Sequence, residues 1–136
     1  MALELTIFKE THPAESFTIA DGTSVEKGTL MKLTDPNTVA PSDGDEDIIA
    51  GVLKVEKVAN SGITQAAVWT RGVFKATAGG SITVGDALIT NASTGDANEV
   101  ITAGVNAEDI LGRALETATD TQTLLIELNP MTINVA

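Results

Sequence analysis

Apolar and polar residues alternate in short runs along the whole chain, and clusters of Gly, Pro, Asn and Asp separate these runs. Such alternation is typical of strands with one buried face, and the clusters are typical of turns. We therefore predict strands over residues 17–19, 29–33, 48–58, 65–76, 87–90, 99–102 and 123–127. The run 65–76 is expected to be the return strand of the longest hairpin, across a turn at 60–62.

Residues 106–118 are ambiguous, because their apolar positions fit helical spacing as well as a strand. Residues 109–115, DILGRAL, resemble residues 47–53, DIIAGVL, in which β-branched residues disfavour a helix. We therefore predict a strand in both places. Residues 123–127 are the expected partner strand, which Asn129 and Pro130 should end because proline cannot donate to a β-ladder.

Matching residues recur 57 positions apart, which indicates an internal duplication. The matching pairs are Ser24 with Ser81, Gly28 with Gly85, and Thr64-Gln65 with Thr121-Gln122. Each glycine is expected to supply the positive φ of a turn that leads into a strand. The duplication predicts an all-β fold, a small β-barrel or sandwich built from two similar halves at about 16–76 and 77–130, within a single β domain over 16–136.

Residues 1–15 have no counterpart in the second half and are predicted to form an extended N-terminal arm. Leu3, Leu5, Ile7 and Phe8 give this arm the pattern of an apolar strand, and Pro13 should break it before the first half begins. An exposed apolar strand needs a partner to cover it. We therefore expect the four residues to form an interface with another protein chain.

Trp69 is the only tryptophan, and period-2 counting places it on one strand face with Arg71. Both residue types are enriched among the residues that dominate binding at protein interfaces. Trp69 and Arg71 are therefore a second candidate interface. The alternative is that Trp69 packs in the core, as a lone tryptophan more often does.

The net charge of −11, with 19 acidic and 8 basic residues, argues against nucleic acid as a partner, because phosphates would be repelled. No window approaches the roughly 18 apolar residues of a membrane span, so no membrane partner is expected. The N-terminal residues lack the pattern of a signal peptide, and the chain is expected to be made in the cytoplasm.

The residues offer little for catalysis, and we predict that the chain is not an enzyme. His12 is the only histidine and falls in the predicted arm, and there is no Cys or Tyr. The acidic loop 43–47 has Asp-x-Asp-x-Asp spacing, but Ile48 and Lys54 stand where a calcium loop needs Gly and Glu. A solvated turn is favoured there, and we predict no metal and no cofactor.

Six segments in the two halves have the pattern of a glycine turn or a strand: FTIA at 17–20, VEKGTLM at 25–31, IAGVL at 49–53, RGVF at 71–74, ITVGDAL at 82–88 and ILGRAL at 110–115. These segments resemble the capsid cement, or head decoration, proteins of tailed bacteriophages. The resemblance covers about residues 16–128, and the order of its elements is more specific than any one motif.

This resemblance implies a structural virion protein that binds the outer surface of a phage head and stabilises the shell by bridging major capsid subunits. The implied partners are the major capsid protein and other copies of the chain, with a trimer favoured over a monomer or dimer. The N-terminal arm would then pair with a neighbouring copy or with the capsid protein. The alternative is a non-catalytic β module of another virion part, such as a tail or fibre.

Overall fold

The computed structural model describes residues 4–44, 47–92, 96, 98–104 and 109–132, and its secondary structure there consists of β-strands. The strands are short, and Gly, Pro, Asn and Asp occupy many of the turns between them. In chain order they are β1 Thr6–Lys9, β2 Glu15–Ile19, β3 Leu30–Asp35, β4 Thr38–Pro41, β5 Ile49–Leu53, β6 Gln65–Trp69, β7 Gly72–Ala78, β8 Ala87–Thr90, β9 Glu99–Thr102, β10 Asp109–Ala114 and β11 Thr123–Thr132.

The strands close into two five-stranded barrels with the same connectivity. The first barrel has the order β2-β4-β3-β5-β6, and the second has β7-β9-β8-β10-β11, closed by the pairing of β7 with β11. In each barrel the first strand runs parallel to the third and antiparallel to the fifth. The prediction of an all-β fold built from two similar halves is confirmed, as is the strand at β10.

The predicted glycine turns occupy equivalent places in the two barrels. Gly28 and Gly85 have φ angles of 84° and 92°, which a side chain would disfavour. The Gly28 N–H donates to Leu53 O at 2.8 Å, and the Gly85 N–H donates to Ala114 O at 2.8 Å. The spacing of 57 therefore holds for the beginning of each barrel.

Later strands are offset by more than 57 positions. Met31 pairs with Pro41 in the first barrel, and its counterpart Leu88 pairs with Thr102 in the second. Pro41 and Thr102 are therefore equivalent, and the third strands of the two barrels are 61 positions apart. The loop before β9 accounts for the four extra residues.

The sequence match of Thr64-Gln65 with Thr121-Gln122 is wrong as a structural equivalence. Phe17 and Phe74 are equivalent residues of the first strands. Phe17 pairs with Ala66 and Phe74 pairs with Ile126, so Ala66 and Ile126 are equivalent and lie 60 positions apart. Residues 64–65 therefore correspond to 124–125. The residues 121–122 lie in the turn before β11.

The predicted strand over 65–76 is two strands in different barrels, separated by Thr70 and Arg71. The alternation continues across the break because both strands have one buried face, so the pattern alone does not reveal the change of barrel. The boundary between the barrels therefore lies at residues 70–71, whereas the sequence interpretation placed it after residue 76.

Two strand ends also differ from the prediction. β5 stops at Leu53 instead of continuing to residue 58. β11 continues through Pro130 to Thr132, because the register of β10 against β11 shifts between Ile110 and Gly112. Such an irregularity is where a strand tolerates a proline.

Neighbouring residues of β3 and β5 face opposite sides of the sheet, with a register shift that leaves Ala50 unpaired against β3, and this division joins the barrels. Met31, Ala50 and Leu53 fill the first barrel. Their neighbours Leu30, Ile49 and Val52 lie in the apolar cluster that includes the interior of the second barrel. Two hydrogen bonds add to the contact: Leu30 N–H donates to Asn98 Oδ1 at 2.9 Å in a buried bond, and Thr90 Oγ1 donates to Gly44 O at 2.8 Å in a partly buried one.

The first barrel contains a buried lysine where the second has alanine. Lys57 is 3% exposed, and its Nζ donates to Asp21 Oδ1 at 3.0 Å and to the carbonyls of Asp21 and Val58. The hydrogen bond from Lys57 holds the pKa of Asp21 below its usual value. The β-bridges Val25–Lys57 and Ile82–Ala118 are equivalent, so Ala118 occupies the place of Lys57.

We expect Gly112→Ala to destabilise the fold strongly. A Cβ at Gly112 would lie 1.9 Å from the Glu127 carbonyl oxygen, so two strands would have to separate. Overpacking of this kind costs about 1–3 kcal/mol, and more when backbone must move. The urea midpoint measures the loss. Gly80→Ala is the matched control, because a Cβ there meets nothing within 4 Å; equal midpoints for the two variants would contradict the prediction.

Candidate interaction surfaces

The N-terminal segment pairs with a strand of its own chain. Thr6 of β1 pairs with Lys75 and Ile7 pairs with Phe74, while Leu5 N–H donates to Gly28 O at 2.9 Å. Leu5 is only 4% exposed and belongs to the apolar cluster. The expectation that the segment is an exposed apolar strand is therefore wrong for Leu5.

The physical reason is a free stretch of edge on β7. β9 pairs with β7 only at Thr77 and Ala78, so the part of that edge nearer the start of β7 is available to β1. Ile7 is half-buried and packs against the apolar cluster. Leu3 lies outside the described residues.

Among the predicted interface residues of the arm that the structure describes, Phe8 is the one that is exposed. The register of β1 against β7 shifts between Ile7 and Lys9, so Phe8 sits at a bulge. Its side chain is 65% exposed. A large exposed aromatic side chain on an ordered strand is suited to bind another protein.

Trp69, at the end of β6 in the first barrel, is half-buried and forms a hydrogen bond with the N-terminal segment. Its Nε1 donates to Glu10 Oε2 at 2.7 Å, and its ring lies edge-on to Phe74 with 5.7 Å between centroids. Lys54 Nζ lies 5.6 Å from the ring centroid, a distance that permits a cation–π contact. These contacts agree with the alternative that Trp69 has a packing role.

Arg71 lies on a different surface from Trp69, because the chain passes from one barrel to the other between β6 and β7. Arg71 is exposed and lines a depression of about 270 Å³ together with Phe17, Leu33 and Pro130. Trp69 instead lines a depression of about 320 Å³ beside β1. The structure therefore does not combine the two residues into one interface.

A third surface, on the second barrel, was not predicted from the sequence. Ala87, Ile110, Gly112 and Met131 line a depression of about 200 Å³. The ion pair between Arg113 Nε and Glu127 Oε1, at 2.8 Å, borders it. The signal in the sequence was the duplication, because Ala87 and Ile110 correspond to Leu30 and Ile49, which join the barrels.

The described part of the acidic loop 43–47 forms internal hydrogen bonds. Asp47 Oδ2 accepts from the amides of Asp43 and Gly44, both at 2.8 Å, and from Ser42 Oγ at 3.1 Å. Partial burial opposes ionisation of Asp47, but these hydrogen bonds outweigh it, so the pKa of the carboxyl lies below its usual value. Asp43 forms an ion pair with Lys32. Residues 45–46 lie outside the described residues.

The residues with chemical potential do not converge on a site in the described part of the chain. His12 is exposed, with Nδ1 3.0 Å from Thr11 Oγ1. Across residues 4–44, 47–92, 96, 98–104 and 109–132, no group of three or more metal-binding side chains is present. The same residues include no helix that is long and apolar enough to cross a membrane.

No protein-family model matches the chain, and no curated protein does. Among solved structures, the chain is similar to the N base of the head fibre protein gp8.5 of bacteriophage phi29. The two chains are 20% identical, the TM-score is 0.56, and the match covers 90% of this chain and 99% of that one. This likeness shows a shared fold over nearly the whole of both chains.

We expect Leu5→Ala to lower the free energy of unfolding by about 2–5 kcal/mol, because it leaves a cavity in the core. Phe8→Ala on the same strand is the matched control and should change stability by less than about 0.5 kcal/mol. Chemical unfolding measures both. Equal and small effects would show that the segment does not belong to the core in solution.

Asp47 should contribute to stability in a pH-dependent way. Its folded-state pKa lies below the unfolded value of about 3.9, so its contribution is present above that value and is lost as pH falls through the folded pKa. Asp47→Asn should therefore lower the urea midpoint at neutral pH and flatten its fall between about pH 5 and pH 2.

Ser42→Ala is the comparison variant for this measurement. It removes one hydrogen-bond donor but leaves the carboxylate and its two amide partners, so most of the pH dependence should persist. An Asp47→Asn variant with the wild-type pH dependence would refute the assignment.

Proposed function

We propose that this chain is a structural protein of a bacteriophage particle and acts as the base that attaches a fibre to the outer surface of the head. The observation that carries the proposal is the fold likeness to a head-fibre base, which includes 99% of that chain and 90% of this one. A match of this extent includes both barrels and their arrangement in the chain. A match to one barrel alone would support the proposal much less.

The resemblance to capsid cement proteins supports the same location by a separate route. Both interpretations place the chain on the head, with the major capsid protein as a partner, and neither requires a catalytic group. The fold likeness favours the fibre alternative over a cement protein. Stabilisation of the shell by bridging capsid subunits is therefore the finer hypothesis, and it is tested separately below.

The proposed contact with the head is the outer face of β1, around Phe8. This strand is ordered by its pairing with β7 and by the bond between Trp69 and Glu10, so binding would not have to order it. A preorganised strand avoids the backbone entropy cost of about 1–2 kcal/mol per residue that a disordered arm would incur. Phe8 supplies the exposed apolar side chain.

We expect Phe8→Glu to weaken binding of the purified chain to heads of the phage that encodes it by tenfold or more, about 1.4 kcal/mol. Cosedimentation of the labelled chain with the heads measures the affinity. Val58→Glu is the matched control, since Val58 is similarly exposed at 58% but lies in the loop after β5. Binding confined to tails would refute the head assignment, and no binding to particles would refute the virion role.

The cement hypothesis predicts an additional effect on the head itself. Heads that lack the chain should then release DNA at a lower temperature than heads that carry it, because bound copies add contacts that must break. A fibre base requires no such shift. Heads that bind the chain with an unchanged release temperature would exclude the cement role and leave the fibre base.

A further inference from the structure

The contact between the two barrels uses a different face of each barrel. The first barrel contributes Leu30, Ile49 and Val52, which we call its packing face. The second barrel contributes Thr90 and Asn98, which we call its receiving face; both are buried, and their side chains bond to Gly44 and Leu30. The contact is therefore head-to-tail.

Each barrel also carries the counterpart of the face that it does not use. Leu30 pairs with Val52 across β3 and β5, and Ala87 pairs with Arg113 across β8 and β10 at the equivalent place. Equivalent residues of the two barrels are 57 positions apart in the first and second strands and 61 positions apart in the third and fourth strands. These offsets give the counterparts of the other residues of both faces. The packing face of the second barrel is thus Ala87, Ile110 and Arg113, and the receiving face of the first barrel is Leu33 and Asn37.

Both counterpart faces are accessible in a single chain. Leu33 is 39% exposed, and Asn37 is exposed in the turn between β3 and β4. On the second barrel, Ala87 and Ile110 border the depression of about 200 Å³, beside Met131, which is 46% exposed. Accessible apolar side chains at both equivalent positions mark the two ends of a repeating contact.

We propose that a second copy of this chain docks the receiving face of its first barrel on the packing face of the second barrel, repeating between chains the contact that joins the barrels within one. Leu33 would then take the place that Thr90 has in the internal contact. Asn37 has the position that Asn98 has in the internal contact, immediately before the third strand of its barrel. It would accept from the Ala87 amide as Asn98 accepts from the Leu30 amide.

The charges at the edges of the two faces are complementary, which agrees with a second copy of the chain as the partner. Arg71 lies beside Leu33 in one depression and, within the described part of the chain, forms no ion pair. The opposing face carries Glu127, whose side chain is 39% exposed although it is paired with Arg113. A contact with an apolar centre and charged residues at its rim is typical of non-obligate interfaces.

A head-to-tail contact closes into a ring or continues as a filament, whereas a two-fold symmetric contact stops at a dimer. The proposal concerns association in solution and does not depend on attachment to a phage head.

The test uses two variants that each disable one face of the full chain. Sedimentation velocity of the wild type should show a concentration-dependent oligomer. Ile110→Glu on the packing face and Leu33→Glu on the receiving face should each be monomeric. An equimolar mixture of the two variants should form a one-to-one dimer and nothing larger, because one intact packing face and one intact receiving face remain.

Met131→Glu, beside the packing face in the same depression, and Asn37→Ala, on the receiving face, are second variants, for use if circular dichroism shows that either first variant is unfolded. Val55→Glu is the matched control, since Val55 is 60% exposed outside both faces, and it should retain the wild-type oligomer. A wild type that stays monomeric up to its solubility limit would overturn the proposal. So would an oligomer that survives either face variant, or a mixture of the two variants that stays monomeric.

Discussion

The apolar contact between the barrels is the constraint on which the rest of the fold depends. A barrel of about 60 residues buries a smaller fraction of its surface than a larger domain does, and it is marginally stable at that size. Leu30, Ile49 and Val52 point away from the interior of the first barrel, and they become core residues only because the second barrel covers them. The two halves of the duplication therefore stabilise each other, which explains why they remain one unit although each has a closed sheet.

Much of the architecture could be predicted from the chain, because strand alternation and glycine turns are local signals. The pair Gly28 and Gly85 identified the duplication, and the hairpin of β8 and β9 was predicted with its observed bounds. What failed depends on non-local pairing. The break at Thr70 and Arg71 carries no local signal, and the place of Leu5 in the core depends on a free edge of β7 that only the closed barrel reveals.

The two barrels differ at one pair of equivalent positions, where the first has charged residues and the second has apolar ones. At equivalent positions the first barrel has Asp21 and Lys57, and the second has Ala78 and Ala118. Lys57 is buried and Asp21 is partly exposed, so the loss of Asp21 would leave an uncompensated buried charge on Lys57. Lys57 also holds two backbone carbonyls near one end of the first barrel, so the substitution changes what fixes the loops there.

Barrel closure limits the ways in which copies of this chain can associate at high concentration. Within the described residues, β1 is the only strand outside a closed barrel, and it is four residues long, bulged at Phe8 and ends in Lys9. Short length, a bulge and a terminal lysine are the features by which natural sheets avoid joining edge to edge. Copies at high concentration can therefore come into contact without their sheets merging into fibrils.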